Sequence, residues 1–209
     1  MIEPLDFRTI EHFSEKYSDY EATRQNYRTW NLCGMQQHHL KDARVLELGS
    51  NDGRMAYAAL HYGARSVLGI DKGDGSMYVG RRNVPDAQFI QADVVEFLNE
   101  AAPHFDVIMC AGLIYHLEEH APIFKAMARH LHAGTTKVVI CGTAVSLHER
   151  TESTLSNAGH RMRWPTVAAM QLLAEENDMI YTLQDYDNEV YPPPAKDYNV
   201  NYKLFTLTV

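Results

Sequence analysis

Cysteine is scarce. The 209 residues hold three, at positions 33, 110 and 141, which make neither a disulfide framework nor a zinc ligand set. Cys110 and Cys141 stand inside apolar runs and read as buried thiols, in keeping with a reducing cytoplasm. Long apolar runs are missing too. None approaches the ~20 residues that cross a bilayer, so no membrane-spanning segment is expected. The opening MIEPLDFRTIEHF carries early acids and no basic stretch ahead of an apolar block, so no secretory signal is expected either. Positive charge is also short, with 19 basic against 27 acidic residues and a formal net charge of −8. A surface that grips nucleic acid needs clustered Lys and Arg, and this balance disfavours it. The deficit is uneven. Residues 170–209 hold seven acids and two bases, whereas 147–164 hold three Arg, two His and two Glu. Anion binding is therefore expected in the second stretch. Internal repeats, low-complexity tracts and Gly/Ser linkers are absent.

What is present is the composition of an ordinary globular chain, 45% apolar and 22% charged, long enough for one core. The first 43 residues are polar and aromatic, with a helix-compatible stretch from Thr9 to Asn31. A regular alternation follows. Short apolar runs at Arg44–Leu48, Ser66–Ile70, Gln88–Ala92, Phe105–Ala111 and Thr136–Cys141 predict strands. Gly53–Tyr62, Gly75–Arg82, Val94–Ala101 and Leu117–Leu131 predict helices between them. Such alternation indicates βαβ units and a parallel sheet. After Cys141, residues 142–163 have no clear period. Pro165 then opens a predicted helix to Asn177. Two strands, Met179–Leu183 and Tyr202–Val209, follow without a helix between them and predict an antiparallel pair at one edge.

The most informative stretch is VLELGSNDGRMAYAAL, residues 45–60. An apolar strand ends at Glu47, turns through Gly49, Ser50, Asn51, Asp52 and Gly53, and enters a helix. Glycine permits the tight turn and close ligand approach, and the free amides of the helix start favour negative charge. Asp71 ends the second predicted strand, where ribose hydroxyls would be held. Asp93 ends the third, where a carboxylate accepts from an adenine amino group. Either acid alone reads equally well as a helix cap. Both at the ligand-binding edge of an open α/β sheet point to a nucleoside.

These residues resemble a class I S-adenosylmethionine (SAM)-dependent methyltransferase over roughly residues 43–209. The landmarks are Glu47-x-Gly49-x-x-x-Gly53, Asp71, Asp93, and FDVIMCAGLIYHL at 105–117 running on to HLEEHAPIFKAMARHLHAGTTKVVI. The resemblance implies a three-layer αβα, Rossmann-like fold, with a seven-stranded, mostly parallel sheet and a C-terminal antiparallel hairpin strand, the last strand inserting antiparallel. It divides the chain into an N-terminal helical lid or arm, 1–43, and a methyltransferase domain, 44–209. Many members carry glycine where Asn51 stands, and asparagine tolerates the left-handed backbone that position needs. A nicotinamide-binding Rossmann domain fits less well, because its G-x-G-x-x-G is absent and Asp52 would repel a pyrophosphate.

The resemblance further implies SAM as cofactor; no metal is expected, because no third ligand is evident beside His116 and His120. Glu47 would order the methionine amine site indirectly. Gly49, Ser50, Asn51 and Gly53 would line the methionine end, Asp71 and Lys72 the ribose, Asp93 and Val94 the adenine, and Ala111 and Gly112 the sulfonium. His116, after the fourth strand, is the candidate proton acceptor in methyl transfer. It also reads as the entry to a helix, on which His116 and His120 stand four apart. For the acceptor, Tyr20, Tyr115, Arg161 and Arg163 are candidates. Tyr20 belongs to an aromatic stripe with Tyr27 and Trp30 that reads first as a face packed on the sheet. Arg161 and Arg163, with Arg150, His148 and His160, could clamp an anion.

Size and acidity favour a small-molecule acceptor, anionic ones included, methylated at O or N. GLIYH and the following MRWP also resemble the family that carboxymethylates wobble uridine of tRNA, which makes an RNA substrate the second reading. A non-catalytic SAM-binding regulator is the third. The acidic, double-proline and aromatic motif of DNA amino-methyltransferases is absent after strand four, where AGLIY stands.

Overall fold

In a computed structural model of the chain, the described residues are 2–14, 18–100, 104–146, 163–187, 189–190 and 202–209. Seven strands, β1 (Arg44–Leu48), β2 (Ser66–Asp71), β3 (Gln88–Gln91), β4 (Val107–Ala111), β5 (Val138–Ala144), β6 (Ile180–Leu183) and β7 (Tyr202–Thr208), form one sheet. Its order is β3-β2-β1-β4-β5-β7-β6. The first five run parallel. The last strand does not simply extend an edge hairpin. β7 inserts between β5 and β6 and runs antiparallel to both.

β1 and β4 are the most enclosed of the early strands. Their residues face helices on both sides, which is why VIMC reads as an unbroken apolar run and VLEL is broken only by Glu47. On one face, α4 (Arg54–His61) packs Met55, Ala56, Ala58 and Ala59 against Val45, Val67 and Val107. On the other, α7 (Ala121–His132) packs Ile123, Phe124, Met127 and Leu131 against Leu46, Ile108 and Val139.

The described residues of the N-terminal segment join the first of these cores. Phe7, Phe13, Trp30, Leu32, Cys33 and Leu40 are buried within it. The predicted helix over Thr9–Asn31 is divided. A short α1 (Glu11–Ser14) precedes α2 (Asp19–Thr29), which Ser18 caps by accepting from the Glu21 N–H at 3.3 Å. Serine competes for amides in this way and favours a helix start over a helix interior. A π-turn over Trp30–Gly34 follows, and a side chain at Gly34 would strike the Trp30 ring 2.2 Å away.

One helix start differs from the sequence pattern in a way that matters for the site. Leu117–Leu131 predicts a continuous helix, yet Ile114–His116 forms a 3-10 turn and α7 begins only at Ala121. The cause is Pro122. Its ring and missing N–H are tolerated in a first helical turn but not in an interior. His116 and His120 therefore do not share one helical face. Among the described residues no group of three His, Cys, Asp or Glu is placed to hold a metal ion, and no helix is long and apolar enough to cross a membrane.

Candidate active site

Sheet order reverses direction between β1 and β4, and open α/β sheets bind ligands at the strand C-termini beside such a switch. A cavity of about 650 Å³ lies there.

One wall is the loop after β1. Gly49 (φ 74°) and Asn51 (φ 46°) both take the left-handed conformation, the first where a side chain would crowd Leu113 at 3.1 Å. Asp71 braces the loop. Its Oδ2 accepts from the Asn51 N–H at 3.0 Å and its Oδ1 from the Gly73 N–H at 2.8 Å. Asp93 caps the helix α6 (Val94–Asn99), accepting from the Val95 and Glu96 N–H groups at 2.8 and 3.1 Å. Glu47, Gly49, Ser50, Asn51, Asp71, Lys72, Asp93 and Val94 all line the cavity. Gly53 does not. Its positive φ lets the chain enter α4, and a β-carbon there would lie 2.9 Å from Val84, so it serves packing.

Glu47 is buried, and burial pushes its carboxyl well above the usual carboxylate range. Asp52 and Asp71 push the same way against Arg54 and a backbone hydrogen bond at Ala56. Its Oε2 and the Ser50 hydroxyl are buried with no hydrogen-bond partner. An orphaned carboxylate oxygen beside two strand-edge acids fits the cationic amine and the ribose of a nucleoside-linked amino acid. The residues present thus suit SAM.

The facing wall comes from elsewhere. Ala111 and Gly112 end β4, and Tyr115 and His116 follow in the 3-10 turn, all four in the cavity lining. His116 is exposed toward solvent, its ring 4.3 Å from that of Tyr115. Beside them, α2 contributes Arg24, Gln25 and Arg28, with Arg28 Nη2 only 3.0 Å from where a Gly112 β-carbon would stand. Glu21 ties this helix to the loop wall. It pairs with Arg24, accepts from Gln25 and lies 3.8 Å from Arg54, which itself bonds the buried Asp52 at 2.8 Å. Sequence reasoning missed Arg24 and Arg28. Their spacing of four in YEATRQNYR was the available signal, since it places both on one helical face.

The structure does not gather every candidate. Tyr20 stands 49% exposed and outside the cavity lining, whereas Tyr27 is buried and stacked on Tyr186. Arg163 is exposed and lines no part of the cavity. Only its backbone approaches, donating to the Tyr115 carbonyl at 2.9 Å and accepting from His120 Nε2 at 3.1 Å. Arg161, with His148, Arg150 and His160, lies outside the described residues.

Residues 45–134 match a family model described as a methyltransferase domain. The magnesium protoporphyrin IX methyltransferase from Synechocystis PCC 6803, solved with bound SAH, superimposes with a TM-score of 0.63 at 12% identity, over 94% of this chain and 92% of that one. At that identity the likeness is one of fold. The chain thus has the fold of the class I, Rossmann-like methyltransferases, and its residues 45–134 are similar to a methyltransferase domain. Its curated relatives include a ubiquinone biosynthesis O-methyltransferase from Acinetobacter baumannii, 35% identical over 92 residues covering 42% of this chain. A tRNA U34 carboxymethyltransferase from Helicobacter acinonychis is 33% identical over 104 residues covering 46% of this chain. The chain spans about two-fifths of the length of these relatives, 38% of each.

Proposed function

We propose that this protein is a SAM-dependent methyltransferase that methylates an O or N atom of a small molecule. One observation carries the reading: a single cavity joins two acids at strand C-termini to a facing wall of arginines, a tyrosine and a histidine. SAM, when bound, supplies a methyl group on a sulfonium, which leaves as a neutral thioether when a lone pair of the acceptor displaces it. Asp71 would hold the ribose, Asp93 and Val94 the adenine, and Glu47 and Ser50 the amine end. His116 would take the proton from an acceptor O–H or N–H. The 3-10 turn suits this role, because it sets the imidazole in the cavity lining ahead of α7 instead of on a face of that helix. Arg24 and Arg28, tethered from α2, close the cavity side on the acceptor. The three free, buried thiols support a reducing, cytoplasmic setting.

Calorimetric titration with SAM and SAH tests the reading. Wild type is expected to bind both, and Asp71→Ala to bind about a hundredfold more weakly, because it loses charged acceptors for the ribose and the brace on Asn51. Failure of folded wild type to bind either would overturn the proposal. The Helicobacter relative favours a second reading, a tRNA substrate. RNA binding that falls steeply with salt would support that reading over the small molecule.

A further inference from the structure

Glutamine is seldom fully buried, yet Gln25 is. It stands on α2 four residues after Glu21, so the two side chains meet on one helical face. Gln25 Nε2 donates to Glu21 Oε1 at 2.5 Å. That contact fixes the orientation of the amide. A carboxylate only accepts, so the amide nitrogen must face Glu21 and the oxygen must turn elsewhere. Gln25 Oε1 is buried with no hydrogen-bond partner, and the residue lines the cavity. A buried acceptor without a donor carries a desolvation penalty that a bound ligand can lift.

Two oxygens of the loop wall share this condition. Glu47 Oε2 and the Ser50 hydroxyl are buried without partners and line the same cavity. Among the described residues of that lining, these two and Gln25 Oε1 are the side-chain acceptors so left. Glu21 brings the helix to them. Besides holding the Gln25 amide, it lies 3.8 Å from Arg54, the first residue of α4, which follows the loop carrying Ser50. Three acceptors, one of them a carboxylate, suit one ligand group. A primary ammonium has three N–H donors, no acceptor and a single positive charge. A water molecule brings two donors and a ribose hydroxyl one, and neither brings a charge for Glu47.

We propose that Gln25 Oε1 completes, with Glu47 and Ser50, a three-acceptor seat for the ammonium at the amino-acid end of SAM. This rests on the methyltransferase reading and adds a cofactor contact that the loop wall does not supply. The contact comes from the helix that also carries Arg24 and Arg28 into the cavity lining. A bound ammonium therefore holds α2 against the loop, and the side of the cavity left for the acceptor is set once the cofactor is in place.

The test is calorimetric titration with SAH and two thioether analogues of it. The 3-carboxypropyl analogue lacks the amine, and the 3-aminopropyl analogue lacks the carboxylate. Gln25→Met keeps the length of the side chain and removes the amide oxygen. It is expected to weaken SAH and the aminopropyl analogue about tenfold and the carboxypropyl analogue less than about twofold. A looser α2 would weaken all three alike, so equal losses overturn the inference and make Gln25 a support of the helix. Losses confined to SAH and the carboxypropyl analogue would mean that the amide meets the carboxylate, which also overturns it. So does no change with any ligand, as when a buried water satisfies the oxygen. A carboxypropyl analogue that binds wild type as tightly as SAH overturns it too. Circular dichroism and melting establish that the variant is folded. If it is not, Gln25→Asn, which draws the amide back by one methylene, is read in the same way. Wild type that binds SAH while the variant shows none of the amine-specific loss sinks only this inference. Wild type that does not bind SAH sinks the methyltransferase reading and this one with it.

Discussion

The two walls of the cavity are built on different principles. The loop wall is mostly backbone and short acids, braced by Asp71 on Asn51 and Gly73 and by Asp93 on α6. The facing wall is long side chains, Arg24, Arg28, Tyr115 and His116, brought together from α2 and the turn after β4. On the proposed function, backbone geometry would recognise what never changes, a common nucleoside. Side chains on separate elements can be exchanged without rebuilding the sheet, so they are where specificity resides. Glu21 and Arg54 join the walls, which makes α2 part of the site instead of a detached arm.

The sharpest way to break this division is at His116. In His116→Asn the side chain keeps bulk and polarity but no longer takes a proton at working pH. With an acceptor that transfers from O–H or N–H, kcat is expected to fall about a hundredfold or more, with the acidic limb of its pH profile lost. SAH affinity should stay near that of wild type, since the proposed nucleoside contacts lie on the other wall. Initial rates across pH, with calorimetry beside them, decide it. An equal fall in SAH affinity would place His116 with the cofactor and erase the division.

Glu47 sharpens the loop wall by an effect of opposite sign. Its carboxyl is raised above the ordinary value of 4.5 by burial, then by Asp52 and Asp71. A raised acid stabilises the fold while protonated. That contribution is full below the unfolded value and is lost as pH rises through the folded one. Glu47→Gln removes the penalty of a buried charge. The variant should melt close to wild type near pH 4.5 and above it at pH 7–8, by on the order of 1 kcal/mol. Its SAM affinity should nonetheless fall, because the proposed acceptor for the amine is gone. A variant less stable at pH 8 than wild type would mean that Glu47 is held as a structural carboxylate.

The two walls also differ in how far the sequence discloses them. VLELGSNDG, VLGID and FIQAD each keep strand, turn and acid within a few residues, so local pattern places Glu47, Asp71 and Asp93 together. Arg28 and Tyr202 meet only because β7 inserts beside β5. Runs of apolar residues identify two final strands but not their order, which the family resemblance supplied. The late start of α7 was written in Pro122, whose meaning depends on whether it falls in a first turn or an interior. Attention to arginine in 147–164 followed charge density along the chain. Arg24 and Arg28 lie in a segment whose acids cancel them in any such count, and only the fold separates the two signs.

Tyr20 gives the smallest effect and the cleanest boundary. Seven residues separate it from Tyr27, nearly two helical turns, so the rings share a stripe yet lie about 10 Å apart along the axis. Tyr27 reaches the body of the protein and stacks on Tyr186 with ring centres 5.6 Å apart. Tyr20, in the first turn of α2, is 49% exposed. Shared helical phase therefore does not ensure shared burial when a helix runs past the edge of what it covers. Tyr20→Ala is expected to change stability by no more than about 0.5 kcal/mol and SAH affinity by less than about twofold. Tyr27→Ala should cost about 3 kcal/mol by emptying a packed site. Paired melting and calorimetry on the two variants measure both. A larger loss of SAH affinity in Tyr20→Ala would mean that the start of α2 folds over the cavity when ligand binds, and the facing wall would then extend one turn beyond Arg24.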